Sequence, residues 1–475
     1  MLPEGFRAMA GTLPGLDTDA FLAAMETAPS VGIRLNPLKP VASFPWAGYS
    51  DVQPVEWCAE GARLPERPVF TLNPLLHAGA FYVQDPSSMI YAPLTEKALS
   101  LLPPEVGAAP YVLDMCASPG GKTSAMMSRL PREAVVVANE YVAQRVGALR
   151  ENMAKWGWSR LLVCNSDSAD FANAGELFDI IAVDAPCSGE GMMRKDEDAR
   201  AQWSPSLVEQ CSVLQREILA NAVKALRPGG VLIYSTCTFN LDEDERNAAY
   251  IVSDLGLEPV DSGLSGIGGI LPQLEGDIPA LRFMPHATDG EGLFAAIFRK
   301  PGESPAHEIR RASSLDGRKD KKGKKVAKDD GKRSAVPLPE VGKWLEDESG
   351  WRLFPDRSGT LLEALPGAAS PLNDSLSPFV RIVGRGITAA ELKGKEWAPA
   401  SELVLSCAWR RDVFPYTELS EEEALRYLRR EALALEDVPK GYVTVGYRGV
   451  PLGLVKNIGK RANNLYPSRW KIKFL

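Results

Sequence analysis

Two cysteines sit where covalent chemistry could be done. One lies in Asp184-Ala185-Pro186-Cys187-Ser188-Gly189, the other in Tyr234-Ser235-Thr236-Cys237-Thr238. Each closely follows an apolar run of strand length, Phe178 to Val183 and Val231 to Tyr234. A buried Cys taken alone is usually a small hydrophobe. A pair at the mouth of one crevice can do more. A thiolate that adds to carbon 6 of a cytosine turns the ring into an enamine, and carbon 5 becomes nucleophilic. After group transfer the carbon 5 proton and the thiol must both leave, and a second Cys nearby suits that elimination. A free Cys is only about a few per cent thiolate near neutrality, so such a site has to favour the thiolate.

Three further features bear on a ligand. The turn Asp114-Met115-Cys116-Ala117-Ser118-Pro119-Gly120-Gly121-Lys122-Thr123 follows the apolar run Val112-Leu113. It is neither G-x-G-x-x-G nor a P-loop, which needs an upstream Gly. Its adjacent glycines let backbone approach a ligand at a helix start. Glu140 lies about 20 residues beyond, where an acid commonly accepts from ribose hydroxyls. Asp167 follows the next apolar run and could accept from an adenine amino group. Each acid alone is more often a cap or a surface charge; together with the glycine turn they favour an adenosine-containing ligand.

The elements that must hold these residues alternate. Strand-like runs at Val112–Asp114, Ala134–Ala138, Leu161–Val163, Phe178–Val183 and Val231–Tyr234 are separated by helix-length segments such as Val142–Lys155 and Leu207–Leu226. Gly292–Arg299 reads as a late strand. Alternation of this kind predicts a mostly parallel sheet covered by helices. Ligands bind such sheets beyond the carboxyl ends of the strands. Asp114, Glu140, Asp167, Asp184 and Cys237 all fall at such ends.

The bulk numbers fit a globular protein of several domains: 475 residues, 45% apolar and 24% charged. No apolar run is long enough for a membrane span, and the start lacks the pattern of a secretory signal. The seven cysteines are scattered without metal-site spacing, which predicts a reducing cytoplasm and no metal. The net charge of −7 hides an asymmetry: Gly441 to Leu475 holds seven Lys/Arg and no Asp/Glu. Those cations alternate with Tyr442, Tyr447, Tyr466 and Trp470, a combination suited to phosphates and unstacked bases.

Four segments carry a resemblance: Phe81-Tyr82-Val83-Gln84-Asp85-Pro86-Ser87-Ser88, Cys116-Ala117-Ser118-Pro119-Gly120-Gly121-Lys122, Asp184-Ala185-Pro186-Cys187-Ser188-Gly189-Glu190-Gly191, and Tyr234-Ser235-Thr236-Cys237-Thr238. Together they resemble the Sun-family RNA 5-methylcytosine methyltransferases, and in particular the bacterial RsmF-like rRNA enzymes. Ser118 stands where Ala is commoner in the family. The stretch Gly441 to Pro467 more loosely resembles the PUA-like end domain of the RsmF-like group.

The resemblance implies an α/β fold. It comprises a Rossmann-like class I methyltransferase domain with a mostly parallel seven-stranded sheet, a small N-terminal α+β region and a C-terminal PUA-like RNA-binding region. The expected layout is residues 1–75, 76–302, a flexible basic linker at 303–335 with eleven Lys/Arg and six Asp/Glu, 336–400 and 401–475. It implies S-adenosylmethionine as cofactor: Cys116, Ala117, Ser118, Pro119, Gly120, Gly121 and Lys122 around its methionine end, Glu140 at the ribose and Asp167 at the adenine. Asp184 would lie by the sulfonium and the target base. Cys237 is the implied nucleophile and Cys187 the elimination helper. Lys195 and Arg34 are expected RNA contacts. The expected partner is RNA, foremost small-subunit (16S) rRNA and next tRNA, bound by a monomer. A non-catalytic RNA-binding assembly factor is the alternative from another class. A DNA cytosine methyltransferase would use Cys187 as nucleophile and leave Cys237 and the basic end without a role.

Overall fold

The computed structural model describes residues 1–45, 51–303, 307, 341–346, 350–356, 358–435 and 437–473. The N-terminal region forms a sheet in the order β2-β3-β1-β4, from β1 (Val31–Leu35), β2 (Gln53–Val55), β3 (Cys58–Leu64) and β4 (Phe81–Val83). The expected boundary at 75 is therefore too early. Phe81-Tyr82-Val83 pairs antiparallel with β1 and closes its second edge, Ile33 opposite Val83 and Leu35 opposite Phe81.

The central sheet is built from β5 (Tyr111–Asp114), β6 (Val135–Asn139), β7 (Leu161–Cys164), β8 (Phe178–Asp184), β9 (Leu226–Thr236), β10 (Glu258–Val260), β11 (Leu281–Phe283) and β12 (Leu293–Arg299). The next strands in the chain are β13 (Trp351–Pro355), β14 (Leu361–Pro366) and β15 (Ile382–Arg385). The central order is β10-β12-β9-β8-β5-β6-β7-β15, with β11 on β12. β5 to β9 run parallel, and β12 runs antiparallel to β9. The middle strands read as unbroken apolar runs because helices cover both faces; every residue of β6 is buried. Among the described residues the sheet has nine strands rather than the expected seven. β11 adds a hairpin partner to β12, and β15 joins the free edge of β7 from more than 200 residues away.

Local chemistry sets the helices between them. The long helix Pro205–Ala225 starts with Ser204, whose side chain accepts from Leu207 N at 3.1 Å, and Pro205 at its first position. The helix Val146–Trp156 ends at Gly157, φ +94°. It begins four residues later than its apolar pattern suggested, because the Glu140 carboxylate captures Val142 N at 2.7 Å.

The segment expected as a separate domain at 336–400 is tied into its neighbours. Beside giving β15 to the central sheet, its Leu365, Ala369, Leu372, Leu376 and Val380 share an apolar core with β8 and β9. Its own sheet is β13-β14-β16-β17, completed by β16 (Ile387–Lys393) and β17 (Glu396–Pro399). The last sheet is β18 (Tyr416–Glu418), β19 (Gly441–Tyr447), β20 (Val450–Asn457) and β21 (Ala462–Asn464), in that order. It packs on the N-terminal sheet: Ile33, Leu64 and Phe81 share one core with Leu405, Tyr427 and Val443. The basic linker expected at 303–335 lies outside the described residues except for Glu303 and His307. No helix among the described residues is long and apolar enough to cross a membrane.

Candidate functional site

Because β5 to β9 are parallel neighbours, their carboxyl ends open on one edge of the sheet. Asp114 ends β5, Asp184 ends β8, Glu140 follows β6, Cys237 follows β9, and Asp167 lies three residues past β7. The five share one side of the sheet, as their spacing predicted.

The turn after β5 is shaped by Gly120, which has φ +108° and packs so closely that a Cβ would meet the Met153 methyl at 2.6 Å. Asp114 is buried and accepts from Thr123 Oγ1 at 2.6 Å and from Cys116 N at 3.4 Å. Burial, aided by the charge of Asp184, raises its pKa to about 7. Ser235 Oγ donates to Asp184 at 2.8 Å, and Lys122 forms an ion pair with the same carboxylate. Burial would lower the Lys122 pKa, but Asp184 and the two thiols outweigh it and leave it raised. An open cleft lies here, lined by Tyr82–Asp85, Ser88, Cys116–Pro119, Gly121, Lys122 and Asp184.

Beside the cleft lie the thiols. Cys187 Sγ and Cys237 Sγ are 3.2 Å apart, and neither is in a disulfide. The Cys187 thiol is pushed well up, first by its hydrogen bond to Cys237 and then by burial. Either sulfur could donate to the other. The two loops are fastened together. Gly191 N donates to the Cys237 carbonyl at 2.8 Å, and a Cβ at Gly191 would meet that oxygen at 3.0 Å. Glu243 accepts from Ser188 N at 3.0 Å and from Gln215 Nε2 at 2.7 Å.

The family of 16S rRNA methyltransferase RsmB/F matches residues 99–299, the N-terminal domain of 16S rRNA methyltransferase RsmF matches 2–86, and the methyltransferase RsmF PUA domain matches 414–472. The ribosomal RNA small subunit methyltransferase F of Klebsiella pneumoniae is 33% identical, over 98% of this chain and 95% of its own. The Escherichia coli protein of the same name is 32% identical over 95% and 92%. The chain belongs to the RsmF family. A methyltransferase homolog from Pyrococcus horikoshii shares the fold over 62% of this chain and 94% of its own, at 26% identity and TM-score 0.50. NSun6 from the same organism matches 63% of this chain and 99% of its own, at 19% identity and TM-score 0.53, and supports the fold alone.

Within this RsmF-family chain, several expected residues have other neighbours than expected. Arg34, expected as an RNA contact, is fully buried. Its guanidinium donates to Gln84 Oε1 at 2.8 Å, Ser124 Oγ at 2.6 Å, Ser128 Oγ at 2.5 Å and the Gly121 carbonyl at 3.3 Å. It clamps the helix after the glycine turn to β1. Lys195 is exposed, beside a groove lined by Ala28–Gly32, Arg67 and Val83–Asp85, but it is paired with Glu291. Asp167 is exposed and caps the helix Ser168–Ala174 by accepting from Ala169 N at 2.9 Å. Glu140 is buried, with Arg145 Nη1 at 3.3 Å. Tyr466 and Trp470 are core residues rather than exposed stacking surfaces, the Tyr466 ring 5.4 Å from Tyr427. Sequence reading missed Glu190 and Glu243, since an acid that serves only as a buried acceptor has no local pattern.

Proposed function

We propose that this chain transfers a methyl group to carbon 5 of a cytosine in small-subunit rRNA through a covalent bond to Cys237. The reading rests on one observation above the rest: two unbridged thiols at hydrogen-bond distance, one on each loop beside the cleft. The small-subunit assignment follows the family and the names of its full-length relatives. We further take the enzyme to act as a monomer in the cytoplasm.

The cleft fits S-adenosylmethionine by its charge. Burial first, and then the charge of Asp184, raise the Asp114 pKa, and a cationic ligand beside the two acids would be favoured. Cys116–Lys122 would hold its methionine end, and Glu140 its ribose hydroxyls. Asp167 is exposed near the same edge and would accept from the adenine amine. When bound, the cofactor supplies an electrophilic methyl group.

The residues then act in order. Lys122, whose charge interacts with both thiols, supplies a cation beside the attacking sulfur. Its sulfur forms a bond to cytosine carbon 6, and the ring electrons make carbon 5 a nucleophile. Once Cys237 is alkylated, the contact that most raises the Cys187 thiol is gone. Cys187 releases its proton to water and, as thiolate, takes the proton from carbon 5. The C–H electron pair restores the ring double bond and expels the Cys237 thiolate.

The test separates the thiols. Cys237→Ala should abolish turnover and any adduct, whereas Cys187→Ala should accumulate a denaturation-resistant protein–RNA complex. An adduct that survives in Cys237→Ala, or a folded Cys187→Ala that turns over normally, would refute the assignment.

A further inference from the structure

We infer that Glu190 is a positioning residue whose buried carboxylate grips the loop carrying Cys237 and holds the two thiols in register. This inference rests on the two-thiol reading above. Glu190 lies three residues after Cys187, and its side chain is 0% exposed. One carboxylate oxygen accepts from Phe239 N at 2.7 Å and Asn240 N at 3.0 Å, the second and third residues after Cys237. The other accepts from Trp203 Nε1 at 3.0 Å and Asn240 Nδ2 at 3.0 Å.

A carboxylate this deep is costly unless every lone pair has a task. The nearby cation does not supply one: Arg282 turns to Asp244, Glu245 and the Phe239 carbonyl. What Glu190 gains is four donors, and three of them belong to Phe239 and Asn240. With Gly191 N on the Cys237 carbonyl, consecutive residues of one cysteine loop hold the other from both sides. A thiol pair 3.2 Å apart tolerates little slack, because shifts of about 1 Å can cost on the order of a hundredfold in rate.

The isosteric variant Glu190→Gln isolates this role. The amide keeps size and one acceptor, but its NH₂ must face donors, either the indole and Asn240 side chain or the two backbone amides. The Cys237 loop then shifts relative to Cys187. Proton removal from carbon 5 needs both thiols and should suffer most. We expect kcat to fall at least tenfold, KM for RNA and cofactor affinity to stay within threefold, and the trapped RNA adduct to rise above that of the native enzyme. In the double variant with Cys187→Ala, turnover should fall no further than in Cys187→Ala alone, as for residues acting on one step.

A merely structural role would lower Tm without changing adduct partition below the transition. Native turnover in folded Glu190→Gln, lost turnover without adduct, or additive loss in the double variant would each overturn the inference. Should Cys237→Ala retain turnover, the two-thiol reading fails instead, and the control tells the cases apart.

Discussion

Replacing Arg34 tests whether a buried cation organises the glycine turn. Arg34→Ala removes four hydrogen bonds, to Gln84, Ser124, Ser128 and the Gly121 carbonyl, and the guanidinium stacked 4.7 Å over Trp156. Burial lowers the Arg34 pKa to about 10 from 12.5, so the native charge already costs about 3 kcal/mol. Bonds from a charged donor return about 1.5–3 kcal/mol each. Ser124 and Ser128 keep their own donations to the Gly121 and Ser124 carbonyls, so the loss on their side is partial. The net cost of Arg34→Ala is about 3–5 kcal/mol, in the range of breaking a buried charge network. Arg34→Met, which fills the space and removes the charge, should cost about half as much. Thermal unfolding reads the stability. Calorimetry with S-adenosylmethionine should show affinity weakened at least threefold, since Gly121 and Ser124 open the helix next to the cleft. RNA affinity measured well below Tm should stay within twofold. A variant with native Tm and lost RNA affinity would refute this placement and restore Arg34 as an RNA contact.

Two other outcomes follow from the charges. Asp114, with a pKa raised to about 7, should release about half a proton at pH 7 when a cationic ligand enters beside it; calorimetry in buffers of different ionisation enthalpy measures this, and Asp114→Asn should remove it. Lys456, Lys460 and Arg461 are exposed on the last sheet, so changing all three to Gln should weaken RNA binding and flatten its salt dependence, with an unchanged slope removing the RNA role; deleting the sheet is the worse test, because it would strip the apolar core it shares with β1 and β4.

The central sheet was legible because parallel strands buried on both faces leave unbroken apolar runs, and the chemistry sits where those runs stop. Asp114, Asp184, Cys187 and Cys237 could be placed at one edge without knowing a distance. Arg34 could not, since a charged residue in a short strand reads as surface. Ser124 and Ser128, four apart on the facing segment, were the available signal. β15 was hidden because its pairing with β7 spans more than 200 residues, and nothing local in Ile382–Arg385 marks it. Glu190 and Glu243 were hidden for a related reason: their partners are backbone amides and side chains of loops that meet only in the folded chain.

The crevice divides into an acidic half, Asp114 and Asp184, and a thiol half, Cys187 and Cys237, and Lys122 belongs to both. It pairs with Asp184, while the thiols rank with Asp184 among the charges that raise its pKa. One cation thereby serves two anions. A positively charged ligand by Asp184 would compete with Lys122 for that carboxylate and leave the ammonium more available to the Cys237 sulfur. The expected consequence is that the adduct forms most readily when the cleft is filled. It is testable by adduct yield: Cys187→Ala with RNA alone should trap far less than with cofactor added, and Lys122→Met should lower both yields. Equal trapping with and without cofactor would show that Lys122 does not link the two halves.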